Sequence, residues 1–167
     1  MRLALEVVGV PEAQAGITGG VARMQIAAFN RMRVEMVDLR NYTIVEHMHG
    51  PTGANTVRQV TGNLVRSLVS QVEDDGTAIT GVVGFPQGSP APYARILDMG
   101  GTTRAHVIEA KKKQSLAFMA DGRMIFRRMV NHPGSNFPPR PFLESALTEQ
   151  SAEIVAGLKK AMFEELQ

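Results

Sequence analysis

The apolar residues of this chain change their period along its length, and that change limits the fold more than any other feature. Leu3, Leu5 and Val7 alternate with Arg2, Ala4 and Glu6, the two-residue period of a strand with one buried face. Val10-Pro11 ends that run. Between Pro11 and His49 the period becomes helical: Val21, Met24 and Ala28 are spaced by three and four, as are Phe29, Met32, Met36 and Leu39. One or two adjoining stripes therefore run along a long helix. Its opposite face carries Arg23, Gln25, Arg31, Arg33, Glu35 and Asp38.

The period then shortens again. Gly50 to Asn55 holds turn formers and reads as a loop. Thr61-Gly62-Asn63 offers side-chain oxygens for the start of a short helix, with Leu64, Val65 and Leu68 as its apolar contacts. Two β-runs, Leu68 to Glu73 and Thr77 to Phe85, flank Asp74-Asp75-Gly76, whose Asp-Gly step supplies the positive φ of a tight hairpin. After the Gly/Pro-rich crossing from Gly84 to Pro92, Pro92 to Met99 reads as a helix stopped by Gly100-Gly101. His106 to Glu109 is a further strand, and Leu116 to Met119 with Met124 to Val130 embraces a second Asp-Gly turn at Asp121-Gly122.

Residues 131–141 contain four prolines and a glycine, so they are expected to form an extended arm with few ladder hydrogen bonds of its own. The chain closes on Leu143, Leu147, Ile154, Leu158 and Met162 at helical spacing. The expected architecture is α+β: one domain over residues 1–167, with a single antiparallel sheet packed by long N-terminal and C-terminal helices, and an extended proline-rich arm.

Several kinds of chemistry are excluded or unsupported. No Cys is present, which removes disulfides, thiolate metal sites and Cys nucleophiles. His47-Met48-His49 could place two imidazoles on one strand face, but a metal site needs further ligands nearby, and an exposed helix end fits the pair better. The stretch Gly81 to Ser89 lacks the Gly-Lys-Ser/Thr ending of a phosphate loop, and Gly-x-Ser-x-Gly is absent. No nucleophile, base and oxyanion set can be assembled, so neither catalytic residues nor a cofactor or metal site is expected. Glu6 interrupts what would be a secretory apolar region, and no apolar run approaches the roughly 20 residues of a bilayer span, so no membrane association is expected.

Charge is more informative. The chain carries 18 Lys+Arg against 16 Asp+Glu, a near-balance that argues against a dedicated nucleic-acid binder. Yet Arg104, Lys111, Lys112, Lys113, Arg123, Arg127, Arg128 and Arg140 face only Glu109 and Asp121 within one segment. A solvated face, or an edge strand guarded by lysines, accounts for this. So does contact with phosphates or an acidic protein surface. The stiff arm that follows costs little entropy to hold extended, and its Pro133, Phe137, Arg140, Pro141 and Phe142 could dock the chain's own last helix or a neighbouring subunit.

Three segments, in order, resemble the head-tail joining or tail-completion family of tailed bacteriophages: Thr61-Gly62-Asn63-Leu64-Val65-Arg66-Ser67-Leu68, Ala91 to Gly101, and His132-Pro133-Gly134 with Pro139-Arg140-Pro141-Phe142-Leu143-Glu144-Ser145-Ala146-Leu147. That family shows a Thr-Gly-x-Leu helix start, a Tyr-Ala-x-x-x-Glu-x-Gly-Thr segment and an Arg-Pro-Phe-Leu opening to its last helix. Here Asp98 stands in place of the glutamate, and Met99-Gly100-Gly101-Thr102 replaces the shorter Gly-Thr step. The likeness covers about the C-terminal two thirds. Virion-morphogenesis proteins of contractile-tailed phages share the last motif.

The resemblance implies a structural virion protein and minor tail component of the neck, assembled in the host cytoplasm. It would form a homo-oligomeric ring around the DNA channel, between head-closure or connector proteins and tail terminator or tube proteins, with non-specific contact to channel DNA. On that reading Pro133 to Phe142 contacts a neighbour or partner, and the basic residues from Arg104 to Arg128 face a neighbour or the channel. Removing residues 131–140 is then expected to spare the fold and abolish joining. A small basic nucleic-acid-binding module is the alternative.

Overall fold

The computed structural model describes residues 2–8, 18–49, 52–58, 61–111 and 114–164. Val10-Pro11, Gly50-Pro51, Lys112, Lys113 and Glu165 lie outside them. Strand β1 (Arg2–Val8) precedes helix α1 (Thr18–Tyr42), which continues into one π-helical turn, Thr43–His47. Helix α2 (Asn63–Ser67) leads into β2 (Val69–Asp74) and β3 (Ala78–Gly84). Helix α3 (Ala94–Met99) is followed by six short strands: β4 (Gly101–Thr103), β5 (His106–Glu109), β6 (Leu116–Ala120), β7 (Arg123–Arg127), β8 (Met129–His132) and β9 (Ser135–Phe137). Helix α4 (Phe142–Glu164) ends the described chain.

The α+β class and the two long packing helices are as expected, but the strands do not form one sheet. β1, β3 and β2 make a three-stranded antiparallel sheet with β3 central, and the remaining strands pair two by two, as β4 with β9, β5 with β8 and β6 with β7. The Asp74-Asp75-Gly76 turn closes β2 on β3 as its residue types dictate. Asp75 Oδ1 accepts the backbone N–H groups of Thr77 and Ala78, both at 2.8 Å, and Gly76 takes φ 84°.

One core holds the body together. α1 packs on β2, β3 and α4, and its Ala28, Met32, Met36 and Leu39 are buried beside Leu68, Ile79 and Val83 and beside Phe142, Leu143, Ile154 and Leu158. The helical stripes read in the sequence are therefore core stripes. Three unbranched methionines, Met32, Met36 and Met48, are among the most deeply buried side chains, which suits the irregular gap between a helix and a twisted sheet. Arg40 Nε donates to the Leu68 carbonyl at 2.7 Å and ties α1 to the end of α2.

Glu35 departs from its expected place on the polar face. It is buried, paired with Arg31 one turn earlier at 2.5 Å. The reason lies on the other long helix: a side chain at Gly157 of α4 would overlap Glu35 Oε1 and the Arg31 guanidinium. The missing Cβ lets the ion pair lie against α4 at that point, where a charge without a partner would be costly.

Candidate functional site

The six strands after α3 are one long antiparallel hairpin drawn out from the body. Partners keep a single register from Gly101↔Phe137 through Glu109↔Met129, and Ala110 N–H donates to the Arg128 carbonyl at 3.0 Å. The next pair is Leu116↔Arg127, so between these pairs the first strand has five more residues than the second. The tip is the expected Asp-Gly turn, with Asp121 at φ 50° and Gly122 at φ 71°, both central residues left-handed as the twist of a two-residue loop requires. The second strand, from Arg123 to Phe137, corresponds to up to about 50 Å at 3.3 Å per residue.

Little of this ribbon is buried. Every residue of β4 and β5 is exposed. In the tip, Leu116, Phe118 and Ile125 are half-buried on one face, while Met119, Met124 and Phe126 stand 62%, 55% and 60% exposed on the other. Met119 pairs with Met124, and Ala117 with Phe126, so the exposed apolar groups are cross-strand neighbours. A two-stranded ribbon with both faces in water is marginal by itself.

The sequence-derived site residues divide between this ribbon and the body. Arg104, Lys111, Arg123, Arg127 and Arg128 are all exposed on the hairpin; Lys112 and Lys113 are outside the described residues. His106 and His132, paired across β5 and β8, stack with ring centroids 5.1 Å apart. Residues 131–141 are not an arm with few ladder bonds. Asn131 and His132 belong to β8, Ser135 to Phe137 form β9 against β4, and Pro133, Pro138, Pro139 and Pro141 fall between or after the strands. Deleting 131–140 would therefore tear out half of the hairpin base, contrary to the expectation that the fold is spared.

Phe142 also changes role. It is 0% exposed, at the centre of the core and edge-on to Phe85 at 6.3 Å, so it is not a surface contact. Pro133 is exposed, and Phe137, Arg140 and Pro141 are half-buried.

The hairpin is anchored by a stitch between α3 and α4. The Arg140 N–H donates to the Leu97 and Asp98 carbonyls, both at 3.1 Å, and Ser145 N–H donates to the Pro141 carbonyl at 2.9 Å. Asp98 is buried, and its Oδ1 accepts the Leu143 N–H at 3.1 Å. A side chain 45 residues away thus performs the capping that the first turn of α4 needs. Burial holds the Asp98 carboxyl above the ordinary aspartate range, opposed by the Leu143 hydrogen bond and reinforced by the nearby Glu144 charge.

A folded-state value raised above the unfolded one makes ionised Asp98 costly, so its unfavourable contribution grows as pH rises above about 4 and disappears on acidification. Asp98→Asn keeps the acceptor and removes the charge; it is expected to match or exceed the native stability at pH 7. Asp98→Ala loses the cap and is expected to cost about 1–2 kcal/mol. Urea unfolding of the two variants at pH 5 and pH 7 measures both.

A second polar cluster joins α1 to α4. His47 is buried on the π-helical turn, with Nδ1 3.1 Å from the Asn55 carbonyl and Nε2 3.0 Å from Glu149 Oε2. The Tyr42 hydroxyl donates to the same Glu149 oxygen at 2.8 Å, and this bond is the main cause of a Glu149 carboxyl held below its ordinary range. His47 and His49 are thus not an exposed pair: His47 is a bonded core residue, and His49 is exposed with Nδ1 2.8 Å from the Ile44 carbonyl. Among the described residues no group of three or more His, Asp or Glu lies close enough to hold a metal, and no helix is long and apolar enough to cross a membrane.

No family model, no curated protein and no solved structure matches the chain.

Proposed function

We propose that this chain is a structural protein of a tailed-phage neck, a ring-forming tail-completion subunit that joins the head connector to the tail tube around the DNA channel. One observation carries the reading. The second and third family-like segments, separate in sequence, meet at one structural junction: Asp98 of the Tyr-Ala-x-x-x-Asp segment caps the helix opened by Arg140-Pro141-Phe142-Leu143, and Arg140 bonds back to the end of α3. The Thr61 to Leu68 segment adds Leu64 and Leu68 to the same core. The motif residues thus build the base from which the hairpin projects.

A ring of identical subunits needs two different, complementary faces on each copy. A body of helices packed on a three-stranded sheet and an extended, basic, partly apolar ribbon meet that requirement. The work is assembly by shape and contact, with no catalytic step, and the partners are further copies of the chain, head-closure or connector proteins, and tail terminator or tube proteins.

In the phage that encodes it, a nonsense mutation in this gene is expected to yield filled heads and separate tails. Purified chain added to that lysate is expected to restore infectious particles. Joined particles made without the protein would rule the neck role out. The exposed arginines of the hairpin also suit a small basic nucleic-acid-binding module. Tight DNA binding by the isolated chain, falling linearly in log K against log salt, would favour that second reading.

A further inference from the structure

The exposed tip has a counterpart on the same molecule. The outer side of α1 carries a second apolar stripe, Ile26, Val34 and Val37, exposed at 61%, 48% and 46%. These residues fall within one helical face about 100° wide. Asn30, Arg33 and Asp38 flank Val34 and Val37 in one shallow groove, and Asp74 of the β2–β3 turn stands beside Ile26 in the next. Neither the tip nor the stripe covers the other within one chain, since both are exposed in it.

Charge separates them in the same way. Between Gly101 and Phe137 seven Lys and Arg face two acids, giving the hairpin +5; the remaining residues hold eleven Lys and Arg against fourteen acids, −3. A protein whose ribbon is basic and whose body is acidic attracts ribbon to body between copies.

We propose that the hairpin tip of one copy seats Met119, Met124 and Phe126 on the Ile26–Val34–Val37 stripe of α1 in a neighbouring copy, a contact that rests on the ring reading above and supplies its repeating interface. The two surfaces differ, so the contact is head-to-tail and propagates from copy to copy. Arg123 and Arg127 project from the ribbon's other face, with Leu116, Phe118 and Ile125, so the overall basic charge of the ribbon, rather than an ion pair with the Asp38 and Asp74 beside the stripe, draws the two copies together. Both surfaces are narrow and linear, a two-stranded ribbon lying along a helix.

The absence of cysteine makes the test direct. At about 0.1 mM and low salt, above the micromolar constants of even weak contacts of ordinary size, the full-length chain is expected to self-associate in sedimentation, and to dissociate as salt is raised. Phe126→Ser and Val37→Ser are each expected to weaken association at least about tenfold, and the double variant little more than the stronger single one, because both remove the same contact. Both positions are exposed, so the far-ultraviolet circular dichroism of each variant should match the parent.

Mixing Met119→Cys with Val37→Cys chains under mild oxidation should give the mixed disulfide. Homodimers of the Met119→Cys chain, or sensitivity to Phe126→Ser alone, would place the tip elsewhere and overturn the proposal. A chain that stays monomeric at that concentration also overturns it, yet leaves the neck reading standing if the lysate test succeeds.

Discussion

Excision of residues 104–134, with Thr103 joined to Ser135 through an Asn-Gly turn, is expected to give a chain that folds and unfolds cooperatively but cannot join heads to tails. Thr103 and Ser135 are already paired, so a two-residue turn closes the shortened hairpin in register. The core residues from Ala28 to Leu158 all lie outside the removed span, and the stitch between Arg140 and the end of α3 is untouched. What is lost is the exposed ribbon, with its apolar tip and all four of its arginines. Circular dichroism and urea unfolding measure the first half of the expectation; restoration of infectivity in a lysate lacking the native protein measures the second. A shortened chain that still joined particles would show that the ribbon is dispensable.

Phe142→Ala is expected to do the opposite, destroying the fold instead of sparing it. Removing a wholly buried phenylalanine costs about 3–5 kcal/mol, and the edge-to-face contact with Phe85 adds to what is forfeited. Against a typical total of about 5–15 kcal/mol, the variant should unfold at a much lower urea concentration or fail to fold. Phe142→Leu, closer in volume, should lose far less. If Phe142 were a partner contact, the alanine variant would keep its urea midpoint and lose only assembly, so the two roles give opposite readouts.

Local periodicity and turn chemistry were legible in the sequence, whereas contacts between distant segments were not. The alternation of β1, the stripes of α1 and α4 and both Asp-Gly turns follow from residue spacing and from the need for positive φ at Gly76, Asp121 and Gly122. The helical period puts Glu35 on the polar face, where a carboxylate is ordinarily solvated; that it lies beside Gly157 of another helix is a tertiary fact that no period contains. The burial of His47 is tertiary in the same way, since its partners are Asn55 and Glu149.

Prolines dominate residues 131–141 and hide their strands in the sequence, because proline cannot donate to a ladder. The strands simply use the residues between the prolines. The basic segment was visible as composition, but its geometry as a ribbon depends on cross-strand register, which two short β-runs and an intervening KKKQS do not reveal. Phe142 illustrates the converse difficulty: an aromatic residue after a proline-rich stretch suits a surface anchor and a core plug equally well until the cap from Asp98 fixes the start of α4.

The pairing offset midway along the hairpin, five more residues on the first strand than on the second, divides it into a base and a tip. A ribbon resists bending because cross-strand hydrogen bonds couple its two strands, and that coupling stops after Ala110–Arg128 before it resumes at Leu116↔Arg127. Base and tip are separately paired segments, joined on the second strand by the single peptide link between Arg127 and Arg128. The base takes its direction from α3 and α4. On the proposed assembly that junction lies between the core and the tip that meets the neighbouring copy, so a change of angle there leaves the core packing untouched.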